Sequence, residues 1–485
     1  MVQDFEIVII GAGPAGLAAA VRLLEMGHSV ALVEQEAFPR PQIGESLSPG
    51  VRPIFDYLHA GDLLDDFSYL HNKPARIAWG GGDPALLQPG QRGAGMVVDR
   101  ARLDARLLAF ATGKGLRLFQ PARIAASVWQ GDKYEFRIRS AEGDQRITGS
   151  IVLDARGRNG APTRERLQLA PASVALWAHV PARAMPDEAC IETVDEGWIW
   201  GAPVPWEQYR IMVFTDPDSL KSRSKTQTMR QMLAGSRLFG ALVAEGLELK
   251  TCLVQTYVHM HPWEQQYLRV GEAAFALDPL SSTGLEAAMR FSLQAAVAVH
   301  TMLTDNDPTV AKAFYESKLA DAVASHHRWT SGYYAEAGKI NAHFPFWQKR
   351  REFRMEAIPA TNAFTALVKQ RLAWHPPKPA GEPAAVPIDP LIRFLWDKPV
   401  RLSAQLAFSP EFAVTGDRVE VRRALVHPNL SRPLVYINQI EIPPLLNTLG
   451  EGVTYGSAIE TWCRHIPIPD VRKVLGFLWG AEIVQ

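Results

Sequence analysis

The residues best suited to chemistry lie within the first 35 positions of the chain. Gly11, Gly13 and Gly16 form the pattern G-x-G-x-x-G between a short apolar run and the helix-like stretch LAAAVRLLEM. In this pattern the first glycine allows a tight turn, the second lets the backbone approach a pyrophosphate, and the third lets helix and strand pack closely. The helix N-terminus adds free N–H groups for phosphate oxygens. We therefore predict that this segment binds the phosphates of a dinucleotide.

A carboxylate follows at the distance expected for a ribose contact. The second apolar run, SVALVE, ends at Glu34, where a carboxylate can accept hydrogen bonds from ribose hydroxyls. A glycine-rich turn that binds nothing is the structural alternative. The complete strand–turn–helix–strand–acid unit favours the nucleotide site, since each of its parts has a role in binding.

The size and composition of the chain are those of a soluble globular protein. Its 485 residues are enough for two or three domains, and Lys plus Arg equals Asp plus Glu at 51 each. This balance indicates neither a nucleic-acid nor a membrane partner, and no apolar run reaches the roughly 20 residues that span a bilayer. Three distant cysteines predict no disulfide framework, and no residue set has metal-ligand spacing. The missing ligand spacing predicts a protein without metal. The first strand begins too early for a signal peptide, so we expect a cytoplasmic protein.

Hydrophobic periodicity divides the chain into segments of different character. Residues 1–170 and 266–375 are predicted to form one Rossmann-like domain with a helical extension, and 171–265 an inserted antiparallel β-sheet domain for the substrate. Residues 376–390 are proline-rich and predict a linker. Residues 391–485 predict a small C-terminal α+β domain, winged-helix-like, with a two-stranded ribbon and three short helices. The predicted fold class is therefore α/β with these two additions.

Further small or charged residues lie near the predicted strand ends. Arg40 and the segment 43–47 contain glycine and small residues that allow a backbone to pass close to a flat ligand, although an ordinary surface turn is the alternative. Arg100 follows the helix cap Asp99, where its charge opposes the helix dipole, which indicates that it serves a ligand. Asp154 ends a predicted strand of the first sheet, at the edge where open α/β sheets bind ligands.

In this order, the motifs resemble those of the FAD-dependent monooxygenases and their halogenase relatives. The resemblance covers roughly residues 5–305 and rests on five segments: GAGPAG with Glu34, Ile43-Gly44-Glu45-Ser46, Arg100, Asp154-Ala155-Arg156-Gly157-Arg158, and the stretch from Gly271 through Asp278-Pro279-Leu280 to Gly284. It implies FAD as the cofactor and O2 as a co-substrate. A second G-x-G-x-x-G unit is missing from the sequence, so the expected electron source is transiently bound NAD(P)H or a separate reductase.

The same resemblance assigns the contacts of the cofactor. It implies that the phosphates lie at the first glycines, the ribityl chain lies near Glu272, and the isoalloxazine lies against the turn from Pro279 to Gly284. The complete predicted set of cofactor-binding residues is Gly11, Gly13, Ala15, Gly16, Glu34, Arg40, Ser46, Arg100, Asp154, Glu272, Pro279 and Gly284. The family usually has aspartate at the position of Glu272, so we expect a rearranged ribityl contact there.

The halogenase signatures are incomplete in this chain. The family sequence W-x-W-x-I-P is matched from Trp198 with alanine in place of isoleucine, and Ser281 stands where tryptophan halogenases place glutamate. Their functional lysine is matched only loosely, by Lys73. Trp198 and Trp200 lie two apart on a predicted strand and so point to one face, which the resemblance places on the substrate side. Packing beneath the sheet is the alternative role of these two tryptophans.

Within the superfamily, the altered signatures and the added C-terminal domain favour the lineage that matures tryptophylquinone cofactors. Membership would imply hydroxylation of a tryptophan in a protein or peptide substrate through a flavin C4a-hydroperoxide. The expected partner is then the small subunit of quinohemoprotein amine dehydrogenase. Lys73 and Glu45 are the ionisable candidates for catalysis nearest the expected flavin. The alternatives are a flavin-dependent halogenase of an aromatic or carrier-bound substrate, an oxidoreductase like geranylgeranyl reductase, and a non-enzymatic FAD-bound assembly partner.

Overall fold

The computed structural model describes residues 2–89, 95–242, 244, 246–305, 308–354, 360–374 and 389–485. The chain divides into two compact units, which are Met1–Asn306 with Tyr315–Ala373, and Asp307–Phe314 with Trp374–Gln485. All but the last two residues of the predicted proline-rich linker, 376–390, lie outside the described residues. No helix in the described part of the chain is both long enough and apolar enough to cross a membrane.

The strands of the described residues are β1 Gln3–Ile10, β2 Val30–Val33, β3 Ser46–Leu47, β4 Leu70–His71, β5 Ala75–Ala78, β6 Ala85–Leu87, β7 Met96–Val97, β8 Arg117–Phe119, β9 Ala122–Trp129, β10 Tyr134–Ser140, β11 Gly143–Asp154, β12 Arg166–Gln168, β13 Ser173–Pro181, β14 Ala189–Val194, β15 Gly197–Val204, β16 Gln208–Thr215, β17 Lys250–Val254, β18 Tyr257–His259, β19 Trp263–Glu264, β20 Tyr267–Arg269, β21 Phe275–Ala276, β22 Ala407–Thr415, β23 Arg418–Val426, β24 Tyr436–Ile437 and β25 Ile440–Glu441. The α-helices are α1 Pro14–Glu25, α2 Val51–Tyr57, α3 Arg100–Gly113, α4 Ser219–Ser222, α5 Lys225–Ala234, α6 Gly284–Asp305, α7 Pro308–Gly338, α8 Pro345–Glu352, α9 Ala363–Ala373, α10 Asp389–Leu395, α11 Ile442–Leu446, α12 Tyr455–Trp462 and α13 Ile468–Gly480.

A parallel sheet forms the centre of the first unit. Strands β8, β2, β1, β11 and β20 lie side by side in that order and are mutually parallel. Ile7, Val8 and Ile9 of β1 are completely buried, as expected for a central strand covered on both faces. Strands β10 and β9 extend this sheet from β11 by antiparallel pairing.

The register of this sheet brings three predicted site residues to one edge. Ile10 at the end of β1 pairs with Val33 of β2 on one side and with Asp154 of β11 on the other. The residues that follow Ile10 and Val33 are Gly11 and Glu34. The carboxyl ends of β1, β2 and β11 therefore meet where open α/β sheets bind ligands.

The second large sheet is almost entirely antiparallel. Its strand order is β17-β13-β16-β15-β14-β5-β6, and only the pairing of β14 with β5 is parallel. Strands β5 and β6 lie at residues 75–87, well before the predicted insertion at 171–265.

The two faces of this antiparallel sheet have different neighbours. On β16, Ile211 and Val213 point to the face that packs against Met229, Met232 and Leu233 of α5. The alternate residues of β16 point to the opposite face, because successive side chains on a strand alternate. That opposite face lines the cavity described below.

The second unit contains the predicted ribbon and three helices. Strands β22 and β23 form an antiparallel hairpin that turns at Gly416, which has a φ of 59°. Helices α11, α12 and α13 follow, and Trp462 and Leu475 are fully buried in their common core. Thr454 and Ser457 form a capping box at the start of α12. The predicted fold class, a Rossmann-like α/β domain with an antiparallel sheet and a small C-terminal α+β part, is confirmed.

Candidate functional site

The turn between β1 and α1 is held by close backbone packing. Gly11 has a φ of 104°, and a Cβ there would lie 2.6 Å from the carbonyl oxygen of Ala155. A Cβ on Gly16 would overlap the carbonyl oxygen of Gly11. Gly13, which caps α1, has no heavy atom within 4 Å of the position of an added Cβ and lines a cavity. The first and third glycines are thus required by the fold, and the second is open to a ligand.

Glu34 is buried at the end of β2 and faces the same turn. Its Oε2 accepts a hydrogen bond from the backbone N–H of Ala12 at 2.7 Å, and its Oε1 accepts one from the N–H of Glu36 at 2.8 Å. The guanidinium of Arg40 lies 3.8 Å from Oε2. The carboxylate is therefore fixed in place beside the first glycine, where a ribose hydroxyl can donate to it.

The cavity at this edge has a volume of about 1460 Å³. It extends from the β1–α1 turn to the face of the antiparallel sheet that points away from α5, and all of its lining residues belong to the first unit. Typical small-molecule sites occupy about 300–1,000 Å³. The cavity is therefore large enough for a dinucleotide and a second ligand together.

Most of the predicted cofactor-binding residues line this cavity. Gly16 and Asp154 do not appear on its wall. Asp154 is completely buried, and its carboxylate accepts hydrogen bonds from Arg156, at 2.9 and 2.6 Å, and from the hydroxyl of Tyr267 at 2.8 Å. Arg156 does line the cavity, so Asp154 shapes the wall through this arginine. The predicted residues on the wall are Gly11, Gly13, Ala15, Glu34, Arg40, Ser46, Arg100, Glu272, Pro279 and Gly284.

Arg100 is held by the protein itself. Its Nε and Nη2 donate to the carboxylate of Asp104, one helical turn further along α3, at 3.0 and 2.9 Å. Its Nη1 donates to the carbonyl oxygen of Ile43 at 2.8 Å. The cation near the start of α3 is thus neutralised by a buried carboxylate and anchors the segment 43–46 on the wall of the cavity.

Glu272 reaches a cationic partner across the cavity wall. Its two carboxylate oxygens accept from Nε and Nη2 of Arg158, each at 3.2 Å. Nη1 of Arg158 also donates to the carbonyl oxygen of Leu253 at 2.8 Å. Glu272 and Arg158 line the cavity as a pair, and the rearranged ribityl contact that we expect at Glu272 stays a prediction.

The turn from Pro279 to Gly284 lies over a buried carboxylate. Asp278 accepts hydrogen bonds from the N–H of Leu280 and from the hydroxyl of Tyr334, both at 3.0 Å, and its burial raises the pKa of this carboxyl. Ser282 has a φ of 53°, which is unusual for a residue other than glycine. The first turn of α6 then lines the cavity, so its unpaired N–H groups are available to an electron-rich ligand edge.

The antiparallel sheet presents three rows of side chains to the cavity. The middle row runs across three strands and contains Trp177, Met212 and Trp200. A second row contains His179 and Arg210. The third row contains Ala175, Phe214 and Trp198; Trp198 is fully buried and stacks on Phe214 with ring centroids 3.8 Å apart. Trp198 and Trp200 therefore share one face, as the sequence predicted, but Trp198 forms the floor of the cavity.

The two predicted ionisable candidates lie in different places. Lys73 is not on the cavity wall, and its Nζ forms an ion pair with Asp187 at 2.6 Å. Glu45 lines the cavity and is buried, with its Oε1 2.6 Å from Nη1 of Arg210. The structure therefore brings Glu45, but not Lys73, to the predicted cofactor residues.

Many residues on the wall were not singled out by the sequence, among them Trp177, His179 and Arg210. Each of these three faces the cavity from β13 or β16. The alternation ALWAHV of β13 does place Trp177 and His179 on one face. What it cannot give is the pairing of β13 with β16, which brings His179 beside Arg210.

The βαβ turn with its buried glutamate, the proline turn before α6 and the shared cavity define an FAD-dependent oxidoreductase. The residues fit FAD because Gly13 leaves an open cradle for phosphates and Glu34 offers an acceptor for ribose. A family model described as FAD dependent oxidoreductase matches residues 6–159, and one described as Tryptophan halogenase matches residues 93–382. The chain therefore belongs to the tryptophan halogenase family, whose enzymes act with FAD and dioxygen.

Individual relatives show two kinds of similarity. The tryptophan 2-halogenase of Chondromyces crocatus is 28% identical over 337 residues, which is 64% of this chain and 64% of the halogenase. The solved structure of QhpG, a peptidyl tryptophan dihydroxylase essential for tryptophylquinone cofactor biogenesis, has a TM-score of 0.69 at 20% identity and covers 99% of both chains. The solved structure of CmlS, a flavin-dependent halogenase, has a TM-score of 0.71 at 19% identity and covers 100% of this chain and 96% of CmlS.

Proposed function

We propose that the protein is a monooxygenase that hydroxylates a tryptophan side chain of a protein or peptide substrate during tryptophylquinone biogenesis. The observation that carries this proposal is the row of Trp177, Met212 and Trp200 on the cavity face of the antiparallel sheet. The similarity to QhpG over 99% of both chains adds support from the fold. The small subunit of quinohemoprotein amine dehydrogenase is the partner that we propose.

The aromatic row is suited to a flat ring. Trp177 and Trp200 lie on the strands that flank β16, so their backbones are about 10 Å apart, twice the spacing of neighbouring strands. This separation leaves room for one ring above Met212. Stacking against aromatic neighbours contributes about 0.5–1.5 kcal/mol per pair beyond buried area, and a methionine sulfur adds a favourable contact. An indole side chain is a ligand of this shape and character.

Bound FAD would supply the activated oxygen, and the protein supplies orientation and exclusion of water. The N–H groups at the start of α1 would hold the phosphates, and Glu34 would hold a ribose. The turn from Pro279 to Gly284 would support the ring system. The antiparallel sheet closes the opposite side with tryptophan, methionine and phenylalanine side chains, so the reacting carbon lies in a largely apolar space.

The test is oxygen transfer to a peptide. A tryptophan-containing peptide from the proposed partner is incubated with the holoenzyme, a flavin reductant and dioxygen, and its mass is followed. We expect added oxygen on tryptophan, and we expect Trp200→Ala to reduce the initial rate at least about tenfold because one wall of the slot is lost. Trp129→Ala is the matched control and should retain the rate, because this tryptophan of β9 is not among the residues that line the cavity. Reduced flavin that is reoxidised without any modified peptide would contradict the proposal.

Halogenation of an aromatic substrate is the second candidate function. It is favoured by the match of the tryptophan halogenase model and by the 28% identity to the tryptophan 2-halogenase. The same incubation with added chloride or bromide distinguishes the two reactions. A product that carries halogen and depends on halide would establish halogenation, whereas an oxygenated product that is independent of halide supports hydroxylation.

A further inference from the structure

We propose that Glu45 accepts the proton that leaves the aromatic ring of the substrate, and that Arg210 and His179 position Glu45 for this step. The proposal rests on the proposed aromatic substrate and concerns the same cavity. It adds a base and two positioning residues to a site in which the cofactor supplies the oxygen.

The three side chains form one connected group on the cavity wall. Oε1 of Glu45 lies 2.6 Å from Nη1 of Arg210, and its Oε2 accepts a hydrogen bond from the N–H of Gly44 at 3.0 Å. Nε and Nη2 of Arg210 lie 3.1 and 2.6 Å from Nε2 of His179. Since an arginine only donates, Nε2 of His179 is the acceptor, and the proton of this neutral imidazole lies on Nδ1. The guanidinium is thus fixed from two sides.

The charges around Glu45 make it a carboxylate that can take up a proton. Burial raises the pKa of the Glu45 carboxyl, and the charges of Arg210 and Arg100 act in the opposite direction. Arg100 is already paired with Asp104. Burial lowers the pKa of Arg210. Burial also lowers the pKa of His179, and the positive charges of Arg210 and Lys250 lower it further. A base is most effective when its pKa lies near the working pH, and a raised carboxyl pKa moves Glu45 in that direction.

The strand register places this group beside the aromatic slot. Arg210 precedes Met212 by two residues on β16, so both side chains share a face about 7 Å apart along the strand. Phe214 lies two residues beyond Met212 on the other side, in the cluster against which Leu280 packs. A ring above Met212 therefore lies between the Glu45–Arg210 pair and the turn that follows Asp278.

The other carboxylates on the wall interact with different parts of the protein. Glu34 holds the β1–α1 turn, Asp99 caps α3, Glu272 pairs with Arg158, and Asp278 lies beneath the proline turn. Among the described residues that line the cavity, Glu45 is therefore the carboxylate next to the aromatic row.

Proton transfer to Glu45 is part of a balanced hydroxylation. Hydroxylation consumes the aromatic C–H compound, O2, two electrons and two protons, and yields the hydroxylated ring and water. A carbon–oxygen bond forms at one ring carbon, the electron pair of its C–H bond returns to the ring, and the proton moves to the Glu45 carboxylate. Glu45 then releases this proton to water. The same proton leaves when halogen is attached, so the proposed role of Glu45 holds for either reaction.

The first experiment compares Glu45→Gln with wild type in single turnovers with free indole and ring-deuterated indole. We expect the single-turnover rate constant of product formation to fall at least about 100-fold, the size of a general-base contribution, with little change in indole binding. A primary deuterium isotope effect should appear in Glu45→Gln and be small in wild type, since proton removal becomes rate-limiting. Glu135→Gln, which removes a carboxylate of β10 outside the cavity, should behave as wild type. Equal rates without an isotope effect would overturn the proposal.

The second experiment tests Arg210, the positioning residue that lies next to Glu45. Arg210→Gln removes the cation that opposes protonation of Glu45, so the rise of the rate with pH should move upward by about 1–3 pH units. Arg210→Lys should restore most of this shift. An unchanged pH profile in Arg210→Gln would contradict the positioning role.

A third measurement does not depend on turnover. Infrared titration of the FAD-loaded protein should show a carboxyl C=O band that is absent in Glu45→Gln and that persists to higher pH than the bands of exposed glutamates. If no indole or peptide product is formed but this band is present, the proposed function fails while the proton affinity of Glu45 stands. If the band titrates with the exposed glutamates, the role of Glu45 as a base is excluded.

Discussion

Gly13 and Gly16 differ in what a methyl group would meet at each position. At Gly16 it would overlap the backbone of Gly11, and at Gly13 it would enter open space on the cavity wall. One glycine therefore serves the packing of α1 on β1, and the other leaves open space on the cavity wall. The sequence pattern alone does not distinguish helix packing from ligand binding, but substitutions at the two positions can.

We predict opposite outcomes for alanine at these two positions. Gly16→Ala should destabilise the FAD-free protein by about 1–3 kcal/mol, because overpacking outweighs the better helix propensity of alanine. Gly13→Ala should leave that stability unchanged but weaken FAD binding at least about tenfold. Denaturant unfolding of the FAD-free protein and flavin fluorescence titration measure the two quantities. Equal FAD affinities for Gly13→Ala and wild type would show that the phosphates do not approach Gly13.

Residue types and spacing were sufficient to predict some site residues and insufficient for others. Glu34 could be placed from its distance to the glycines, because a βαβ unit has a nearly fixed length. The cation of Arg100 was noticed because it opposes a helix dipole, but its partners are Asp104 and the carbonyl of Ile43, which no spacing rule identifies. Arg210 was missed because its significance depends on contacts with Glu45 and His179, which come from distant parts of the chain.

At the scale of elements, Arg100 of helix α3 holds the segment 43–46. Arg100 lies near the start of α3, pairs with Asp104 on the same helix and donates to the segment that carries Glu45. Gly44 in this segment has a φ of 97°, and a Cβ there would lie 3.0 Å from Nη1 of Arg100. The position of Glu45 therefore depends on how this helix begins.

We predict that Arg100→Leu destabilises the protein by about 3–5 kcal/mol, because Asp104 remains buried without its partner. The double substitution Arg100→Leu with Asp104→Leu should recover much of this stability. It should not recover FAD affinity, since the carbonyl of Ile43 still lacks its donor. Urea unfolding and flavin titration of the three variants test this, and full recovery of both properties in the double variant would contradict the anchoring role.

Local sequence patterns identified most helices and strands, but they did not identify every pair of neighbouring strands. The hairpin and helices of the C-terminal unit follow from adjacent turn and capping residues, so they could be predicted from short windows. The parallel pairing of β5 with β14 joins residues more than a hundred positions apart. Because each strand shows only its own alternation, such a pairing has no signature in either segment alone.

At the scale of the whole molecule, all residues that line the cavity belong to the first unit. A ligand that binds only the folded protein adds stability of about 2.7 kcal/mol when its concentration is 100 times its Kd. This added stability should therefore be greatest in the elements that contact the ligand. The parallel sheet, the start of α6 and the antiparallel sheet are the elements concerned.

We predict that FAD slows amide hydrogen exchange in residues 3–25 and 279–288 and leaves residues 407–480 unchanged. FMN, which lacks the adenylate half, should protect 279–288 more than 3–25, because the β1–α1 turn is the proposed phosphate and ribose site. Exchange followed by mass spectrometry measures both effects. Equal protection of both segments by FMN would contradict the orientation that we assign to the cofactor.

The alternation along β16 has a consequence for how this enzyme can diversify. Arg210, Met212 and Phe214 face the cavity, whereas Ile211 and Val213 are fixed against α5. A mutant library that changes only the cavity-facing residues of β16 and its neighbouring strands could alter substrate specificity. The residues packed against α5 would stay unchanged in such a library. A library shifted by one codon would instead change residues packed against α5 and would destabilise the sheet. The pleat of the strand therefore separates residues that stabilise the fold from residues that contact the ligand.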